Sequence, residues 1–198
     1  MDRRNFMISM AVSYSGLCGI AGCGSAPPAP VVARTAPRQP PAASVSAATA
    51  PPVGEPEPQG ANALDTVLAA DTDPRRNELA LIALSQLGTP YAWGGQAPSS
   101  GFDCSGLVAY VYRQACHLAL PRVAQDQARL AREIPHAEAR VGDLVFYNTL
   151  GMPFSHVGIY LGEQRFVHAP TTGSVVQIAH MTHLYWRSRY NGTRRAYG

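Results

Sequence analysis

Three residues, Cys104, His156 and His168, have the types and placement for nucleophilic catalysis. Cys104 lies in Gly101-Phe102-Asp103-Cys104-Ser105-Gly106-Leu107, where a glycine-rich loop delivers the chain into a helical pattern. A cysteine in the first turn of a helix faces unpaired amides and the positive end of the dipole, and both favour thiolate over thiol. That is one way a cysteine becomes a nucleophile near neutral pH. A lone cysteine there is better explained as a small buried hydrophobe. The histidines change that. His156 opens the apolar run His156-Val157-Gly158-Ile159-Tyr160-Leu161, and His168 closes Arg165-Phe166-Val167-His168. If the two runs pair as an antiparallel hairpin around Gly162-Glu163, the imidazoles meet at the same end. His156 then takes the thiol proton, and His168 orients it by a ring hydrogen bond. Zinc is conceivable on these three residues by ligand type, but no close ligand pair supports it, so no metal or other cofactor is expected. His136, His180 and His183 read as surface or structural side chains.

The elements that must position these groups come in two runs. Glu78 to Leu87 has helical spacing and stops at Gly88. Thr89 to Phe102 is a loop rich in glycine and proline, Asp103 to Cys116 a helix with Leu107, Val108, Val111 and Tyr112 on one face, and Ala124 to Arg132 a third helix. After Gly142 the period changes. Asp143 to Tyr147, His156 to Leu161, Gln164 to His168, Val175 to Ala179 and Arg189 to Tyr197 read as short strands between turn residues. Helices followed by antiparallel strands make an α+β fold. Cys104 and Cys116 are twelve residues apart on one helix, about 18 Å, which is beyond disulfide reach.

The motifs carry a resemblance. The runs Thr89-Pro90-Tyr91-Ala92-Trp93-Gly94-Gly95, Gly101 to Val108, Leu120-Pro121-Arg122, Gly142-Asp143-Leu144-Val145-Phe146, His156 to Tyr160 and Val167-His168-Ala169-Pro170 occur in this order. Together with Tyr185-Trp186 and Arg194-Arg195, they resemble the NlpC family of bacterial cell-wall cysteine peptidases. The resemblance covers nearly all of residues 74–198. It implies a papain-like fold, with N-terminal helices packed on a small antiparallel sheet. It implies Cys104 as nucleophile, His156 as base and His168 as the orienting third member. Tyr91, Asp103 and Ser105 would line the substrate site, with the Tyr91 hydroxyl near the thiol. Val123-Ala124 stand where the family often has a hydroxyl residue, and Cys116-His117 where it often has glycine.

The rest of the chain reads as address and tether. Residues 1–22 have a positive start at Arg3 and Arg4, an apolar stretch, and the ending Ile20-Ala21-Gly22 before Cys23. This resembles a bacterial lipoprotein signal, with Cys23 as the lipidated residue. Arg3-Arg4-Asn5-Phe6-Met7 also resembles a twin-arginine export signal. Gly24 rather than aspartate after Cys23 implies the outer membrane of a Gram-negative bacterium, facing the periplasm. Residues 23–73 form a linker: ten prolines fall between Gly24 and Gly60, and few large apolar residues accompany them. Such chain cannot bury enough surface to offset its ordering entropy. Fully extended, it would reach on the order of 100 Å. Residues 74–198 form the peptidase domain.

Composition narrows the remaining classes. The chain has 198 residues, a formal charge of +3, and 46% hydrophobic residues. All sixteen basic residues are arginine. That charge is too small for a nucleic-acid binder, and four cysteines do not make a disulfide scaffold at this length. The reading is a hydrolase acting on peptidoglycan stem peptides, cutting the D-glutamyl–diaminopimelate bond, with a D,D-endopeptidase as the alternative. A non-catalytic wall-binding lipoprotein and an acyltransferase on the same fold are the other classes. The expected partners are the stem peptides, a membrane through the N-terminal lipid, and a regulatory protein of unknown identity.

Overall fold

The computed structural model describes residues 72–198. The expected signal segment, Cys23 and all but the last two residues of the expected linker lie outside the described residues. Helix α1 (Pro74–Leu84) begins earlier than its apolar spacing suggests, because Asp73 caps it. The Asp73 carboxylate accepts from the Arg75 amide at 3.0 Å, and Pro74 occupies the first helical position. Its apolar pattern runs on to Leu87, but the helix closes at Leu84, and the Ser85 hydroxyl donates to the Ile82 carbonyl at 2.7 Å.

The expected loop 89–102 contains a two-stranded hairpin, β1 (Gln96–Ala97) with β2 (Gly101–Phe102). It leads into α2 (Cys104–Cys116), which ends on His117 in the left-handed conformation at φ 52°. Helix α3 (Ala124–Leu130) is shorter than expected. Residues Arg132–Ile134 form strand β3 instead, paired with the last strand. A three-residue edge strand carries too little periodicity to be read, and Glu133 is fixed from outside by Arg194 at 3.0 Å. A single 3-10 turn (His136–Glu138) follows. Then come β4 (Leu144–Tyr147), β5 (His156–Gly162), β6 (Arg165–His168), β7 (Gln177–His180), the short helix α4 (Leu184–Arg187) and β8 (Tyr190–Arg195). The short helix α4 was not legible as helix.

Six strands make one antiparallel sheet in the order β3-β8-β4-β5-β6-β7. Side chains alternate across it. Leu144, Phe146, Val157, Ile159, Leu161 and Val167 join the core beneath α1 and α2, with Leu79, Leu107, Val108 and Val111. Val145, Tyr147, Tyr160 and Phe166 point the other way and pack with Trp186. This is the expected α+β, papain-like arrangement. A buried ionic lock joins its two halves. Arg76 (2% exposed) reaches from α1 to Asp143 (1% exposed) at 3.1 Å, and Arg195 of β8 meets the other oxygen of Asp143 at 2.7 Å. Arg76 also donates to the Tyr197 carbonyl at 3.0 Å. Among the described residues, no helix is long and apolar enough to cross a membrane.

Candidate active site

Asp103 ends the loop and caps α2: its Oδ1 accepts from the Gly106 amide at 2.8 Å. Cys104 is therefore the first residue of the helix. The close approach behind it requires glycine, because a Cβ on Gly106 would come within 2.0 Å of the Gly95 carbonyl oxygen. The backbone amides of Ser105 and Val157 lie near enough to the Cys104 thiol to favour its ionised form. The second amide belongs to the residue after His156, so α2 abuts the start of β5.

The hairpin of β5 and β6 pairs Ile159 with Val167 and Tyr160 with Phe166. It brings the two imidazoles together, with His156 Nε2 and His168 Nδ1 3.0 Å apart. Trp186 braces both: its indole stacks on His156 (centroids 5.4 Å, planes 27° apart) and stands edge-on to His168 (4.9 Å, 85°). His168 is fully buried, and its Nε2 has no hydrogen-bond partner among the described residues.

Asp103 does more than cap. It accepts from Gly94 N at 3.0 Å, and Arg122 grips both its oxygens while also donating to Ser105 Oγ at 3.0 Å. Gln127, fully buried in α3, donates to the carbonyls of Ser105 and Pro121 at 3.0 and 2.9 Å. Tyr91 is half-buried on the same side. Burial raises its hydroxyl above the usual phenol range, and the neighbouring Cys104 and Asp103 add to this. Cys104, His156, His168, Tyr91, Asp103 and Ser105 thus share one neighbourhood. Arg122, Gln127 and Trp186 are the members not assigned to the site from the sequence. Arg122 and Trp186 lay within quoted motifs, whereas Gln127 had no signal beyond being an amide between Ala124 and Ala128.

The electrostatics differ from the expectation of a resting thiolate. Burial pushes the Cys104 thiol up to about 11, helped by the Asp103 carboxylate and opposed by the Val157 and Ser105 amides and by Arg122. Burial pushes His156 down to about 4 against the pull of Asp103. Burial, and then His156, hold His168 well below the ordinary imidazole value. Desolvation outweighs the helix terminus here. At neutral pH the resting site is a thiol beside two neutral imidazoles. Cys104 and Cys116 are both free, at opposite ends of α2.

A comparison with protein families matches residues 88–195 to the NlpC/P60 family. The chain belongs to the NlpC/P60 family. Murein DD-endopeptidase MepH of Escherichia coli (strain K12) is 43% identical over 115 residues, which are 57% of this chain and 42% of that protein. Gamma-DL-glutamyl hydrolase of Bacillus subtilis (strain 168) is 42% identical over 110 residues, 55% of this chain and 26% of that one. Among solved structures, an NLP/P60 family protein similar to lipoprotein, from Staphylococcus aureus subsp. aureus Mu50, superposes with a TM-score of 0.58. It is 38% identical, over 66% of this chain and 44% of that chain. The chain spans less than half the length of these relatives.

Proposed function

We propose that this NlpC/P60 protein is a peptidoglycan hydrolase, a cysteine endopeptidase that cuts stem peptides. One observation carries the reading. Cys104 opens helix α2, which packs against β5, the strand that begins with His156, and His156 is bonded to His168 at 3.0 Å. Because His156 Nε2 is engaged with His168, Nδ1 is the nitrogen left to take a proton. Cys104 gives its proton to that nitrogen as the sulfur attacks the scissile carbonyl carbon. A neutral resting pair suits this order of events, since charge develops only in the transition state. The imidazolium then donates through Nε2–H to His168 Nδ1 and stacks on the Trp186 face, which favours the cation. Backbone amide near Cys104 and the Tyr91 hydroxyl hold the oxyanion. Collapse breaks the C–N bond, and His156 returns the proton to the leaving amine. Water, deprotonated by His156, then opens the thioester and restores the thiol.

The bond we assign is D-glutamyl–diaminopimelate, in line with the relative named gamma-DL-glutamyl hydrolase. The relative named DD-endopeptidase supports a second reading, the D-alanyl–diaminopimelate cross-link. In both, the leaving nitrogen belongs to diaminopimelate. Digestion of an uncross-linked muropeptide and a cross-linked dimer, read by mass spectrometry, separates them. Shortened monomer stems support the first, intact monomers released from dimer the second, and no new product from either refutes both.

The same reading places the enzyme on the periplasmic side of an outer membrane, held by lipid on Cys23. Labelled palmitate in the wild type but not in Cys23→Ser supports this. Equal labelling, or none, overturns it.

A further inference from the structure

Strand β4 ends at Tyr147, whose cross-strand partner is His156. The chain continues into the loop 148–155, and beside that loop lies a polar cavity of about 470 Å³ lined in part by Asn148, Thr149, Ser188, Arg189 and Asn191. With strands about 4.8 Å apart and about 3.4 Å per residue, the Asn148 backbone starts about 6 Å from that of His156.

Arg189 is the cation of this cavity. Its guanidinium lies 4.0 Å over the Tyr185 ring, and Nη1 donates to the Tyr185 carbonyl and Ser188 Oγ, each at 3.2 Å. These contacts fix the head group and leave Nη2 and Nε open. No carboxylate pairs with Arg189 among the described residues. The Asn148 amide and Thr149 hydroxyl have no hydrogen-bond partner among the described residues, and Asn191 uses only its Oδ1, taking the Phe154 amide at 2.9 Å. A fixed, uncompensated guanidinium among free amide and hydroxyl groups is the chemistry that recognises a carboxylate.

The side of the cleft follows from the mechanism. His156 protonates the leaving amine, so the leaving half of the substrate lies on the His156 side of the sulfur. That half begins with a nitrogen of diaminopimelate. When the D-glutamyl bond is cut in an uncross-linked stem, the far end of that residue is a free carboxylate, on the order of 8 Å away at about 1.5 Å per bond. When a tetrapeptide cross-link is cut, the far carboxyl is already tied up in the stem's own peptide bond. The geometry points to this cavity as the subsite for the far carboxylate of diaminopimelate, anchored by Arg189 and completed by Asn148, Thr149 and Asn191. This rests on the stem-peptidase reading and sharpens it toward uncross-linked stems.

Two tripeptides test it with the full chain: L-Ala-γ-D-Glu-meso-diaminopimelate, and the same peptide ending in L-Lys, which lacks the far carboxylate. The wild type cuts the first with a kcat/KM about 10- to 100-fold higher, the range expected of a charged hydrogen bond. Arg189→Met and Asn148→Ala lower the diaminopimelate rate toward the lysine rate, with a much smaller effect on the lysine rate. Arg189 also braces Tyr185, so Asn148→Ala guards against a folding artefact. Calorimetry on Cys104→Ala measures binding of the same peptides without turnover, alone and combined with Arg189→Met. Equal wild-type rates, or an equal fall on both peptides in Arg189→Met, overturn the subsite. If neither peptide is cut but the diaminopimelate peptide binds selectively through Arg189, the subsite stands and the peptidase reading falls. If there is neither cleavage nor selective binding, both fall.

Discussion

Replacing His168 with alanine removes the group bonded to His156 Nε2 at 3.0 Å and leaves the amides on Cys104 in place. In the proposed mechanism that bond strengthens when His156 becomes cationic. A hydrogen bond from a charged donor contributes about 1.5–3 kcal/mol, against about 1 for a neutral one. Only the difference, about 0.5–2 kcal/mol, acts on kcat, so losing the bond lowers kcat by about 2- to 30-fold. KM changes little, because His168 is fully buried and does not reach the substrate. His168→Asn supplies an acceptor oxygen on a shorter side chain and recovers part of the rate. The alanine variant also opens a cavity and costs about 2–4 kcal/mol of stability, so rates are compared well below its melting temperature. The assay is steady-state hydrolysis of a defined muropeptide followed by chromatography, with circular dichroism as the folding control. A folded His168→Ala protein with kcat indistinguishable from wild type refutes the orienting role.

Gly106→Ala forces a Cβ to within 2.0 Å of the Gly95 carbonyl. It either shifts the loop against α2, with activity lost at retained fold, or lowers the melting temperature; a variant normal in both measurements contradicts the close packing. Asp143→Asn removes the charge between Arg76 and Arg195 and leaves buried Arg76 only its longer ion pair with Asp73, at 3.8 Å. A loss of about 3 kcal/mol is expected in urea unfolding, and a change below 1 kcal/mol shows that the lock contributes little. The pH dependence of stability follows from His156. The unfolded chain takes up a proton near the ordinary imidazole value of about 6.5, while the folded site holds out to about 4. His156 stability is thus fully present above pH 6.5 and lost as pH falls toward 4, by up to about 3 kcal/mol. Urea midpoints across that range fall in the wild type and are flatter in His156→Gln; equal slopes argue against a buried neutral His156.

Much of the fold was legible because its signals are local. The apolar face of α2, the alternating strands after Gly142 and the hairpin around Gly162-Glu163 are all written in short stretches of sequence. What was missed depends on distant partners. Strand β3 exists because β8 lies beside it, and no pattern in Arg132-Glu133-Ile134 announces that. Helix α1 starts ahead of its apolar spacing because Asp73 caps it and Pro74 takes the first helical position. At the site, residue types and order singled out Cys104, His156 and His168, and the fold bonds the two imidazoles at 3.0 Å. Gln127 required the fold, since its role is to hold two carbonyls from other segments. The charge state of Cys104 also could not be read from position. A helix start favours thiolate, but desolvation in the packed site pushes the thiol the other way, and that is a property of the packed molecule.

The central claim is that the Cys104 sulfur is the nucleophile of a peptidoglycan-cutting enzyme. Purified sacculi are digested with the full-length wild type and with Cys104→Ala, both shown folded and the wild type with its thiol reduced, and the soluble products are weighed by mass spectrometry. The account predicts new stem-peptide fragments with the wild type and none with Cys104→Ala. The same fragments from both proteins, or none from either, contradict it.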